Sequence, residues 1–94
     1  MAAYLIGTIT VRDPDAWQAY VARVGATFGP FKGRVTFRGE KAIALSGAAY
    51  GQRVVVVEFP DLDSLRRWHE SPQYQELIAL RNQGAEVVLT AYTD

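Results

Sequence analysis

Cysteine is absent from this chain of 94 residues, and histidine occurs only once, at position 69. Without cysteine there is no disulfide framework, no thiol nucleophile and no cysteine-based zinc or iron–sulfur site. A single histidine with no second ligand at helical spacing is a weak metal signal as well. We therefore expect no metal and no cofactor, and a small fold without these reinforcements depends on packing or oligomerisation.

A surplus of charge of either sign is also lacking, because ten Lys and Arg residues balance ten Asp and Glu residues. Nucleic acids and anionic membranes favour basic surfaces, so neither is expected as a partner. The stretch from Met1 to Val11 has no basic segment, and Thr8 and Thr10 interrupt its apolar run. It resembles neither a secretory signal nor a membrane span, so we expect a cytoplasmic protein.

Apolar residues are plentiful enough for one core. The chain is 49% hydrophobic and 12% aromatic, a composition that disordered segments do not have. No repeat, low-complexity tract or linker divides it, and its length suits a single domain over residues 1–94.

Two kinds of apolar periodicity alternate along the chain. Strands are predicted at 4–12, 34–39, 53–59 and 86–92, with 41–45 continuing or kinking the second strand and Gly39 the candidate bulge. A first helix should follow Asp13-Pro14, where an aspartate cap precedes a proline at the first helical position. A second helix should begin after Pro60-Asp61, restart at Ser71-Pro72 and end at Gly84.

This order of elements, β-α-β-β-α-β, predicts an α+β protein with the ferredoxin-like fold. That fold is a four-stranded antiparallel sheet with both helices on one face and the first and third strands in its centre. The third strand carries four successive valines, Val54 to Val57, and is therefore apolar on both faces. A sheet covered on one face only should alternate apolar and polar residues. We therefore predict a homodimer in which a second copy covers the helix-free face.

Several segments together resemble a known family. They are Asp13-Pro14 before Trp17 and Tyr20, Phe31-Lys32-Gly33-Arg34 leading to Phe37-Arg38-Gly39, Val57-Glu58-Phe59-Pro60, and Trp68 to Gln75 with Leu80-Arg81. Nearly the whole chain resembles the domain-of-unknown-function 1330 family of the dimeric α/β-barrel superfamily, although Lys32 and His69 stand where that family more often has glycine and an aromatic residue. The resemblance implies a ferredoxin-like dimer. It leaves the activity open, because the superfamily includes cofactor-free monooxygenases, isomerases, haem-handling enzymes and non-catalytic members.

Glu58 and His69 are the candidate catalytic residues. Glu58 lies in the most apolar strand, where a carboxylate is costly to bury unless it is paired. It would act as an acid or base, or form a structural ion pair with Arg38 or Arg53. His69 is the only imidazole, so it would act as a base or as a haem ligand, or be a partly buried histidine bonded to a backbone carbonyl.

The candidate ligand-binding residues are Arg38 and four aromatic residues at helical spacing, which are Trp17, Tyr20, Trp68 and Tyr74. Arg38 would hold an anionic group of the ligand, or extend its stem over apolar surface with its charge in water. Arg81 is a further candidate for the same role. The aromatic residues would form the apolar wall of a cavity between sheet and helices, or simply the core.

Three functions remain open at this point. The first is a homodimer that binds a small organic molecule between sheet and helices and acts on it without a metal. The second is a non-catalytic dimerisation or interaction module, and the third is a haem-handling protein that uses His69. The sequence disfavours the third, because the family resemblance does not place a histidine at position 69.

Overall fold

A computed structural model describes all 94 residues. Its elements follow the predicted order, with four strands, one long and three shorter helices, and two single 3-10 turns at 25–27 and 29–31. The elements are β1 (Ala3–Val11), α1 (Pro14–Val24), β2 (Arg34–Glu40), β3 (Arg53–Phe59), α2 (Leu62–Glu70), α3 (Pro72–Gln75), α4 (Ile78–Gly84) and β4 (Ala85–Thr93). None of the helices combines the length and apolarity that a membrane span requires.

Local chemistry explains where the helices begin. The Asp13 carboxylate accepts hydrogen bonds from the backbone N–H groups of Asp15 and Ala16, and Pro14 occupies the first turn, so α1 begins as the sequence predicts. The Asp61 carboxylate caps α2 in the same way, through the N–H of Ser64 at 2.7 Å. That hydrogen bond favours the ionised form and lowers the pKa of Asp61.

The four strands form one antiparallel sheet in the order β2-β3-β1-β4, the ferredoxin-like topology with the first and third strands in the centre. The irregularity of the sheet lies at Thr36 rather than at Gly39. Val35 pairs with Val57 and Phe37 pairs with Val56, so Thr36 is an extra residue with no partner in β3. The strand ends at Glu40, and residues 41–45 do not continue it.

Register assigns every strand residue to one of two faces. Leu5, Ile9, Val57 and Phe59 face the helices and are buried in the core together with Trp17, Trp68, Tyr74 and Leu77. The opposite face, which we call the open face, carries no helix. Its apolar residues are only half buried or exposed, and they are Tyr4, Ile6, Phe37, Val54, Val56, Val88 and Tyr92.

The second helical region is more broken than the sequence predicts. Ser71 has an extended backbone, so the predicted interruption at Ser71-Pro72 is confirmed. A second interruption follows at Glu76 and Leu77, before α4 begins. Gly84 ends α4 as predicted and lies against the start of α1, where a Cβ on residue 84 would come within 2.6 Å of the Trp17 nitrogen.

We expect Ser71→Ala to lower the free energy of unfolding by about 1 kcal/mol, because it removes a helix cap. The Ser71 hydroxyl accepts from the N–H of Tyr74 at 3.3 Å and donates to the Trp68 carbonyl at 2.7 Å. Urea denaturation measures the change. The matched control is Ser46→Ala in the exposed loop between β2 and β3, whose hydroxyl makes no hydrogen bond. Equal stabilities of the two variants would contradict the capping role.

Candidate functional site

A cavity of about 430 Å³ lies between α1 and the helix-facing side of the sheet. Fourteen of its nineteen lining residues are hydrophobic, and they come from all four strands, α1 and α2. Trp17, Tyr20, Val21 and Val24 line it from α1 at helical spacing, opposite strand residues such as Leu5. Trp17 and Tyr20, the aromatic residues of α1 that the sequence singles out, thus border the space between helix and sheet.

The wall formed by α2 is held in place by a polar contact behind it. The indole Nε1 of Trp68 donates to the hydroxyl oxygen of Thr27 at 2.9 Å, and that hydroxyl donates to the Val24 carbonyl at 2.6 Å. Phe28 and Phe59 pack beside the indole, with ring centroids 5.2 and 5.7 Å from it. One face of the aromatic cluster thus borders the cavity, while its polar atoms are satisfied elsewhere.

Tyr74 lies behind the cavity wall and does not line it. It is fully buried, and its hydroxyl oxygen lies 3.0 Å from that of Tyr20 and accepts from Nη1 of Arg81 at 2.9 Å. Because the guanidinium can only donate, the Tyr74 proton is free to be donated to Tyr20. Burial, reinforced by Tyr74, raises the pKa of Tyr20, so the Tyr20 phenol keeps its proton at neutral pH.

Charged side chains line the cavity only near the last residues of β2 and the first residue of β3. Arg38, Glu40 and Arg53 line it there, and Nε of Arg53 lies 3.8 Å from Oε1 of Glu40. Arg38 pairs in register with Val55, which faces the helices, and it makes no salt bridge. Arg38 therefore lies at the charged end of the cavity without an acidic partner.

Glu58 is on the other face of the sheet, so the prediction that Glu58 and Arg38 serve one pocket is wrong. The alternation of β2 alone would place Arg38 on the face of Arg34, but the extra residue at Thr36 reverses the faces beyond it. Glu58 lies directly opposite Arg34, with 3.2 Å between Oε1 and Nη2. The predicted ion pair exists, but its arginine is Arg34 rather than Arg38 or Arg53.

His69 is exposed in the last turn of α2 and does not line the cavity either. Its neighbour Trp68 is buried, and consecutive helix residues point about 100° apart, so both cannot face the sheet. The His69 ring lies beside Trp68 and Tyr74 on the outside, with centroids 6.0 and 5.5 Å away. No group of three or more His, Cys, Asp or Glu side chains is arranged to hold a metal ion.

The cavity-lining residues that the sequence does not single out are mostly aliphatic. Val21 and Val24 lie on the same face of α1 as Trp17 and Tyr20, and Val87 and Leu89 come from β4. Nothing in their spacing separates cavity wall from packed core, because both demand the same apolar face. The ion pair of Glu40 with Arg53 was missed because the register of β2 against β3 depends on the bulge.

The sequence profile described as "Domain of unknown function (DUF1330)" matches residues 2–93. The chain belongs to the DUF1330 family. No curated protein matches this DUF1330 member in sequence.

Solved structures resemble this DUF1330 member over nearly its whole length. A protein of unknown function from Rhodopseudomonas palustris has a TM-score of 0.82 at 18% identity, covering 99% of this chain and 82% of that one. SnoaB, a cofactor-independent oxygenase from Streptomyces nogalater, has a TM-score of 0.72 at 16% identity, covering 99% and 92%. A dimeric ferredoxin-like protein of unknown function from Jannaschia has a TM-score of 0.75 at 9% identity, covering 100% of both chains. At such identities the likeness establishes the ferredoxin-like fold.

We expect Tyr74→Phe to destabilise the protein more than Tyr20→Phe. Removing the Tyr74 hydroxyl takes the acceptor from Arg81 and the hydrogen-bond partner from the Tyr20 hydroxyl, at a cost of about 1–3 kcal/mol. Removing the Tyr20 hydroxyl leaves Tyr74 still bonded to Arg81 and should cost about 1 kcal/mol or less. Urea denaturation of both variants and of the double variant measures the difference, and the reverse order would contradict this account of the hydrogen bonds.

Proposed function

We propose that this protein is a homodimer that binds a small, largely apolar organic molecule in the cavity under α1. The cavity carries the proposal, because its volume lies within the range of about 300–1,000 Å³ that ligand pockets occupy. Its composition also fits, with apolar and aromatic walls and a few polar groups at one end. Four of the five predicted ligand-binding residues border it, Trp17, Tyr20 and Trp68 from the helices and Arg38 from β2.

The proposal also includes a chemical reaction of the bound molecule. SnoaB shares the fold and is a cofactor-independent oxygenase, so a reaction that depends on the protein's own residues is within the scope of such a scaffold. Glu58 and His69 do not line this cavity, so we do not assign them a catalytic role in it. The Tyr20 phenol borders it in the protonated form and would act as a hydrogen-bond donor rather than a base.

Two alternatives are distinguished by binding. A non-catalytic interaction module would have no need of an accessible cavity and would bind no small molecule there. A haem-handling protein would need His69 near the cavity, whereas the imidazole lies on the exposed side of α2. No observation favours haem.

A larger side chain inside the cavity should weaken the binding of a neutral apolar probe. N-phenyl-1-naphthylamine fluoresces when it leaves water for an apolar site, and we expect saturable binding to the wild-type protein. Val21→Phe adds bulk inside the cavity and should weaken that binding by about tenfold or more. The matched control is Ala22→Phe, because Ala22 is the next residue of α1 and is exposed.

Unchanged binding in Val21→Phe, or equal losses in both variants, would refute the cavity as the binding site. No binding by the wild-type protein to the neutral probe would favour the interaction module instead.

The dimer part of the proposal depends on the open face. Phe37 and Tyr92 are each 56% exposed and Val88 is 45% exposed, and half-buried Ile6, Val54 and Val56 lie between them. The protein measures 33 × 31 × 16 Å between extremes, so this broad face can supply the roughly 800 Å² per partner of a standard interface. A dimeric ferredoxin-like protein with this fold supports a second copy as the occupant.

We expect Val88→Glu and Phe37→Glu to convert the dimer to a monomer, because each would bury a carboxylate in an apolar interface. Both side chains are exposed within one chain, so the fold should survive, which circular dichroism checks. Sedimentation velocity at micromolar concentration measures the mass. Ala79→Glu, on the exposed side of α4, is the control that should remain a dimer.

A wild-type protein that sediments as a monomer at every concentration would refute the dimer. Dissociation caused by Ala79→Glu alone would place the interface on the helices instead of the open face.

A further inference from the structure

The charged end of the cavity carries a net positive charge. Three charged side chains line the cavity, Arg38, Glu40 and Arg53, and the other lining residues are hydrophobic apart from Gln18 and Gly39. Glu40 and Arg53 are opposite each other in the register of β2 and β3, and their side chains approach to 3.8 Å. One positive charge therefore offsets the carboxylate, and the guanidinium of Arg38 is left without a counterion.

The backbone of β2 places Arg38 on the helix-facing side of the sheet, where it lines the cavity. In an uninterrupted strand, Arg38 would lie on the face of Arg34 and Glu58 and point away from the helices. Thr36 is the unpaired residue of a bulge, and beyond it Arg38 pairs with Val55 on the helix-facing side. Bulges commonly redirect a side chain next to a functional site.

We infer that the molecule bound in the cavity carries one anionic group, a carboxylate, on an otherwise apolar and preferably aromatic body, and that Arg38 recognises it. The inference rests on the proposed cavity binding and adds the chemical class of the ligand. The planar guanidinium donates two parallel hydrogen bonds to a carboxylate, and Trp17 and Tyr20 offer ring faces for the body of the ligand. Arg53 competes less well for the same group because Glu40 already neutralises it.

The volume and charge together narrow the class further. A cavity of about 430 Å³ lies in the lower part of the range for ligand sites, which suits a body of one or two rings. Glu40 beside Arg53 would repel a second anionic group at that end. A monocarboxylate should therefore bind more tightly than a dicarboxylate of the same size.

A pair of probes that differ only in charge tests the inference. 2-Naphthoate and 2-naphthamide share the same ring, and isothermal titration calorimetry at neutral pH measures both affinities. We expect the wild-type protein to bind 2-naphthoate about tenfold or more tightly than 2-naphthamide. Arg38→Met keeps an apolar stem and removes the charge, so it should weaken 2-naphthoate binding far more than 2-naphthamide binding and abolish that preference.

Two further variants make the test specific to the cavity. Arg34→Met removes an arginine four residues earlier on the same strand, on the open face, and should leave the preference for 2-naphthoate intact. Glu40→Gln removes the partner of Arg53 and should strengthen 2-naphthoate binding. Circular dichroism checks that each variant is folded, and Arg38→Gln replaces Arg38→Met if the latter is not.

The outcomes separate the inference from the proposed function. If the two probes bind with equal affinity, or if Arg38→Met keeps the preference, carboxylate recognition by Arg38 is overturned while cavity binding stands. The same conclusion follows if Arg34→Met loses the preference to the same degree as Arg38→Met. If neither 2-naphthoate nor 2-naphthamide binds at all, the proposed cavity binding fails together with the inference.

Discussion

The alternation of side chains along a β-strand is the constraint on which the rest of this structure depends. With only four strands and one layer of helices, each strand has to supply residues to two different surfaces. The odd-numbered residues of β1 and β3 pack towards the helices and include the buried Leu5 and Val57. The even-numbered residues, such as Ile6 and Val56, form a second apolar surface that no part of the chain covers. The cavity and the proposed dimer interface therefore lie on opposite faces of the same short strands.

The two faces of the sheet carry different charged side chains. The charged pair on the open face, Arg34 with Glu58, lies at the proposed interface between subunits, whereas Arg38 and Arg53 lie at the cavity. A change on one face therefore leaves the side chains of the other face in place, apart from effects transmitted through the backbone. The aromatic cluster around Trp68 adds to this separation, because its polar atoms bond to Thr27 within the helix layer and not to the sheet.

Most of the architecture could be predicted from the sequence, because it is encoded by local signals. The caps at Asp13 and Ser71 and the valines of β3 each reflect the preference of a residue type for one backbone state. The bulge at Thr36 has no comparable signal in the sequence, because threonine is common in regular strands. Glycine is a more typical bulge residue, so the sequence favours Gly39 instead. One unpaired residue is enough to place Arg38 on the face opposite to that of Arg34.

The expectation that His69 faces the cavity is wrong for a different reason. Leu65, Trp68 and His69 have the spacing of a helical apolar face, but the face that α2 presents to the core is narrow enough to bury only Leu65 and Trp68. Spacing alone does not give the width of a buried face, because that depends on how closely the neighbouring elements approach. Cavity and core are similarly indistinguishable in the sequence, since both are lined by the same residue types.

The bulge at Thr36 also has a consequence for how β2 can change in length. Thr36 has no partner in β3, while Val35 and Phe37 are paired with consecutive residues, Val57 and Val56. A relative that lacks this one residue would have a regular strand and would still direct its counterparts of Phe37 and Arg38 to the same two faces. Loss of Val35 or Phe37 would instead take a side chain from one of those faces. Natural variation in the length of this strand should therefore be concentrated at position 36. A sequence alignment that places the gap elsewhere in β2 would match residues from opposite sides of the sheet.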